Sequence, residues 1–124
     1  MQERQIYGKD AEKRAELWFL QNTQSRLLFR NFRCKWGEID LIFEESHRQN
    51  LVIELVFVEV RACSFRNWLE GSETVGWKKQ QCLKKTAQFF LSSYQGKSTL
   101  VRFDLLSWDG TDWKHLPNLW IDSE

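Results

Sequence analysis

The sequence predicts an α/β fold, one mixed β-sheet flanked by helices in the order α-β-β-β-α-β-β. Two segments with helical apolar spacing and several runs of strand-forming residues separated by polar turns carry that expectation. Neither a proline- or glycine-rich linker nor an internal repeat divides the chain, so its 124 residues are expected to form a single domain, 1–124.

The first helix is expected from about Gly8 to Asn22, where Ala11, Ala15 and Trp18 recur on one face with Leu17 and Leu20 alongside, and Glu12 and Glu16 share another side. Strands follow at Leu27 to Cys34 and Glu38 to Glu44, separated by a turn at Trp36-Gly37. The polar stretch Ser46 to Asn50 turns the chain into a third, strongly apolar strand, Leu51 to Arg61. An irregular loop, Cys63 to Gly76, leads to a second helix, Trp77 to Tyr94, with Leu83, Ala87, Phe90 and Tyr94 at helical spacing. Two last strands, about Thr99 to Trp108 and Trp113 to Ile121, meet at a turn around Asp109-Gly110.

Composition narrows the function. Hydrophobic residues make up 42% and charged residues 28%, with seven Trp and nine Phe, which excludes a disordered chain. The formal net charge of +1 hides separate regions: Arg26, Arg30, Arg33 and Lys35 form one basic segment, Lys78, Lys79, Lys84 and Lys85 another, and the tail beyond Asp104 is acidic. Cys34, Cys63 and Cys82 lack the spacing of a zinc site or a disulfide framework and suit a reducing compartment. The polar start, Met1 to Lys9, has no apolar leader segment, and no stretch is long enough to cross a bilayer, so a cytoplasmic protein without a membrane partner is expected. Phosphate-binding glycine motifs are absent, and His47 and His115 stand apart in sequence and are expected at the surface.

The chemistry lies in the hairpin. Asp40 and Glu59 are equidistant from the turn near Gln49 and Asn50, so a simple hairpin sets them opposite each other. Like charges at opposed positions are destabilising unless something compensates. A divalent cation is one compensator, since Mg²⁺ is held by one or two carboxylates with water and substrate phosphate. The period of two puts Glu59 and Arg61 on one strand face, so a surface ion pair with Arg61 is the competing explanation.

Gly37-Glu38-Ile39-Asp40-Leu41-Ile42, followed by Val56-Phe57-Val58-Glu59-Val60-Arg61, resembles the two-part hairpin motif of the YraN-like family of small bacterial endonuclease-like proteins. The resemblance runs from Gly8 to about Trp120, through Gly8, Glu12 and Ala15 in the first helix, Arg30-Asn31 in the first strand, Lys79 in the second helix and Arg102-Phe103-Asp104 in the fourth strand. It implies a restriction-endonuclease-like fold similar to Holliday-junction resolvases, which carry an Asp and then Glu-x-Lys on a hairpin. It further implies Mg²⁺ or Mn²⁺ held by Asp40, Glu59 and Glu12, a basic catalytic residue at position 61, and a homodimer by analogy. This chain departs from the resolvase pattern at Arg61, whose guanidinium can stabilise charge but cannot act as a general base.

Lys78, Lys79, Lys84 and Lys85 are candidate phosphate contacts, although a solvated helix face explains each lysine singly. Trp68 and Trp77 are candidate stacking residues, with core anchoring as the commoner role. The expected function is Mg²⁺-dependent endonucleolytic hydrolysis of DNA, branched, recombination or repair intermediates included, with Asp40, Glu59, Arg61 and Glu12 as the catalytic set. The alternatives are a catalytically impaired nucleic-acid-binding module and a protein-interaction domain using its aromatic surface.

Overall fold

The computed structural model describes residues 8–62, 76–96, 98 and 100–118. Helix α1 spans Gly8–Asn22, strands β1, β2 and β3 span Ser25–Cys34, Gly37–His47 and Val52–Ala62, helix α2 spans Trp77–Leu91, and β4 and β5 span Leu100–Trp108 and Trp113–Leu116. The expected α-β-β-β-α-β-β order is therefore observed, around one mixed sheet with strand order β1-β2-β3-β4-β5. The β3–β4 pair is parallel, and α2 lies in the connection between them. The other neighbours pair antiparallel.

The helices pack on opposite faces. On one, Ala15 and Phe19 of α1 cover Leu41, Phe43, Val56, Val58 and Leu106, with the Phe19 and Phe43 rings stacked at 4.4 Å. On the other, Leu83, Ala87 and Phe90 of α2 cover Ile39, Ile42, Leu55 and Phe57. Covered on both faces, β3 needs apolar residues at successive positions, which explains the unbroken run Leu55-Val56-Phe57-Val58.

Several boundaries differ from the sequence expectation for local reasons. The buried face of α1 is Ala11, Ala15 and Phe19, while Leu17 and Leu20 point to solvent. Leu51 takes a left-handed conformation (φ 58°), so it belongs to the turn and β3 starts at Val52. Helix α2 stops at Leu91, where the Ser92 and Ser93 hydroxyls donate to the Phe89 and Phe90 carbonyls, although Tyr94 still stacks on Phe90. Strand β5 ends before Pro117 and a left-handed Asn118. Cys63, Trp68, Thr99 and the chain beyond Asn118, where the last strand was expected to continue, lie outside the described residues.

Candidate metal centre

The β2–β3 register pairs Leu41 with Val58, so Asp40 and Glu59 fall on the next rung, as the midpoint of the hairpin predicted. Regular pairing stops there. The Val60 N–H donates to Asp40 Oδ2 at 2.8 Å, so a side-chain carboxylate replaces a backbone carbonyl and fixes the Asp40 rotamer. Between the β1–β2 pairs Arg30–Leu41 and Phe32–Ile39, Asn31 stands across from Asp40 on the other side.

Asn31 is left-handed (φ 52°), a conformation that asparagine tolerates better than most residues. From it, Nδ2 donates to Glu12 Oε1 on α1 at 2.7 Å and to Glu38 Oε2 on β2 at 3.1 Å. One carboxylate oxygen each from Glu12, Glu38 and Asp40 lies within 4.8 Å of the others. One turn further along α1, Glu16 holds Arg30 of β1 through two hydrogen bonds of 2.8 and 3.0 Å, which fastens the helix that carries Glu12 to the sheet edge.

Glu59, beside Asp40 on the adjacent strand, helps line an open cleft of about 430 Å³, which Asp40, Glu38, Lys78, Lys79 and Trp36 also line. Its carboxylate is buried, and Lys79 Nζ from α2 reaches Glu59 Oε2 at 3.0 Å. Arg61 follows two residues on, half-buried and beside Ser107 of β4. Lys78 lines the cleft, whereas Lys85 lies over the Trp36 ring. Lys84 is half-buried and lies outside the residues lining the cleft.

Charge accumulates at Asp40. Burial first, then the charge of Glu59, outweigh the Val60 N–H; Glu12 adds its charge and a shared hydrogen bond, and the carboxyl is pushed up to about 8. The donors that converge on Asp40 are carboxylate oxygens, the ligands a hard divalent cation takes, and they need positive charge to ionise together. Glu12, Glu38 and Asp40 fit such an ion, and Glu59 lies beside Asp40 on the neighbouring strand.

The sequence missed Glu38 and Asn31. Glu38 had a signal, since the period of two puts it on the Asp40 face; Asn31 had none beyond its place in the family motif. The expectation that His47 and His115 are isolated surface residues is corrected. His47 Nε2 pairs with Glu54 at 2.8 Å, and His115 Nε2 with the fully buried Asp104 at 2.7 Å, partners supplied by neighbouring strands.

The profile of the uncharacterised protein family UPF0102 matches residues 11–107, from Ala11 in α1 to Ser107 in β4. The chain belongs to this family. The YraN-like resemblance is thereby borne out, and the matched span includes Glu12, Asn31, Glu38, Asp40, Glu59 and Lys79. A UPF0102 protein of Persephonella marina is 36% identical over 113 residues, which cover 91% of each chain. UPF0102 proteins of Pseudomonas syringae pv. syringae and Caldicellulosiruptor saccharolyticus are 36% and 34% identical, over 97% and 86% of this chain and 93% and 83% of their own. Among the described residues, no helix is long and apolar enough to cross a membrane.

Proposed function

We propose that this UPF0102 protein is a metal-dependent phosphodiesterase acting on nucleic acid, with DNA the substrate that its resemblance to endonuclease-like proteins implies. The observation that carries the reading is the convergence of Glu12, Glu38 and Asp40, of which Glu38 and Asp40 line an open cleft together with the Glu59–Lys79 pair. Mg²⁺ or Mn²⁺, held by Asp40 with Glu12, Glu38 and Glu59 as further candidate ligands, would supply Lewis acidity toward a phosphodiester. The protein supplies the rest. Asn31 orients two of the carboxylates, the Val60 N–H orients the third, and Lys78 at the rim offsets the repulsion between an acidic cleft and a polyanion.

Arg61 and Lys79 divide the work that a single motif lysine does in resolvase-like proteins. Arg61 stays charged and suits stabilisation of developing negative charge. Lys79 reaches Glu59 from the helix and supplies an ammonium where the strand has none. The departure at position 61 is also what favours the second reading, a binding module that no longer cleaves.

The test is incubation of the parent with linear, single-stranded and branched DNA, with and without Mg²⁺ or Mn²⁺, beside Asp40→Ala, Arg61→Lys and Lys79→Ala. Metal-dependent cleavage that falls at least about a hundredfold in Asp40→Ala supports hydrolysis. Salt-sensitive binding without cleavage by the parent or Arg61→Lys would establish the binding module instead.

A further inference from the structure

We propose that Trp36 is a stacking platform for an unpaired nucleobase, which makes this protein selective for strands with a nucleotide outside the double helix. The inference rests on the nucleic-acid reading above and names the substrate feature that the same cleft recognises. Trp36 sits in the β1–β2 turn, is 40% exposed, and lines the cleft that holds Asp40 and Glu59.

Its position is fixed from below. The Trp36 N–H donates to Cys34 Sγ at 3.4 Å. Gly37 beside it has φ 152°, and a Cβ there would meet Thr86 Oγ1 at 3.4 Å and Cys82 Cβ at 3.7 Å. The turn thus lies in van der Waals reach of α2, and the φ of Gly37, which side-chain-bearing residues rarely adopt, holds it there. Cys82 also lines the cleft, so the surface that seats the turn is continuous with the carboxylate pocket.

Two ammonium groups lie over the indole, Lys85 Nζ at 4.3 Å from the ring centroid and Lys35 Nζ at 5.1 Å. Both lysines are exposed, and such contacts are weak where water competes. They show that the ring is open to a partner from solvent, and their long side chains can swing to phosphate when nucleic acid arrives. Lys78, Cys82 and Lys85 recur along α2 at four- and three-residue spacing, so the rim carries positive charge from the cleft to the platform.

A base inside a duplex has both faces covered by its neighbours, so only an unpaired base can lie on the indole. A single strand, a bulge or a branch point offers one. Stacking is indifferent to base identity, and the resulting selectivity is for structure rather than sequence.

Binding of labelled oligonucleotides in EDTA tests this, using a single strand, its perfect duplex, and the duplex with one unpaired nucleotide. Trp36→Ala is expected to weaken binding of the first and third about tenfold and leave the duplex unchanged, while Trp36→Phe keeps most of the parent's affinity. Equal affinity of parent and Trp36→Ala for all three, or an equal loss on all three, would overturn the platform. Cleavage of the same substrates in Mg²⁺ separates the two proposals. A Trp36-dependent preference in binding without cleavage supports the platform and overturns hydrolysis. Cleavage by Trp36→Ala with the parent's substrate preference overturns the platform alone, and failure of the parent to bind any of the three overturns both.

Discussion

Asp40 on β2 and Asp104 on β4 are aspartates of one sheet held in opposite states. Asp104 is fully buried and Asp40 half-buried, so burial alone would raise Asp104 the more. It does not. Burial raises the Asp104 carboxyl, but hydrogen bonds from His115 and Arg102, and the charges of both, outweigh it and hold the group below the usual aspartate range. Asp40 is pushed up to about 8 because its charged neighbours are carboxylates.

Around Asp104 the cation is covalently part of the chain. Arg102 forks onto Asp104 at 2.8 and 2.9 Å and reaches Glu54 at 2.7 Å and Glu45 at 2.5 Å. Glu45, His47 and Glu54 could be taken for a metal-binding group, yet the guanidinium already contacts both glutamates. Around Asp40, Lys79 reaches Glu59, and the exposed Arg33 makes only a 3.4 Å contact with Glu38. The difference separates a carboxylate cluster bridged by a buried guanidinium from one whose contacts with Lys79 and Arg33 come from exposed side chains.

The largest effect should come from emptying the completed cluster. Arg102→Met leaves Glu45, Glu54 and Asp104 facing one another without their guanidinium, and should cost about 3–5 kcal/mol in urea denaturation. Asp40→Asn should act in the reverse direction, stabilising the metal-free protein at neutral pH by about 1–3 kcal/mol in the same assay, since a carboxyl held at about 8 must take up a proton on folding and an amide need not. Equal destabilisation by the two variants would erase the distinction.

Acid sharpens the contrast. Because the Asp104 pKa is lower in the folded chain than in the unfolded one, its stabilising contribution is fully present above the ordinary value of 3.8 and is lost as pH falls through the folded value. Asp104→Asn should therefore flatten the fall in stability below about pH 4 relative to the parent, measured by denaturation at stepped pH. The smallest effect is expected at the surface pair that fastens α1. Arg30→Ala should leave the denaturation midpoint nearly unchanged, because the Arg30 side chain is 63% exposed and water screens its pair with Glu16.

What could be read from the sequence follows the range of each interaction. The hairpin register was legible because Asp40 and Glu59 lie at equal distances from the Gln49–Asn50 midpoint, and the two helical stripes survived with Phe19 in place of Leu17 and Leu20. The Lys79–Glu59 contact was not legible, since it depends on how the β3–β4 connection lays α2 across the sheet. Asn31 gave no sign of its left-handed backbone, and His115 looked isolated because Asp104 reaches it from the adjacent strand.

The central claim is that the Asp40 cluster awaits a divalent cation, and thermal unfolding with and without Mg²⁺ or Mn²⁺ tests it most directly. A ligand that binds only the folded state raises the melting temperature with its concentration. The parent should melt several degrees higher in saturating metal, Arg30→Ala should keep that rise, and Asp40→Asn should start higher and gain nothing. No rise in the parent, or the same rise in Asp40→Asn, would contradict the account.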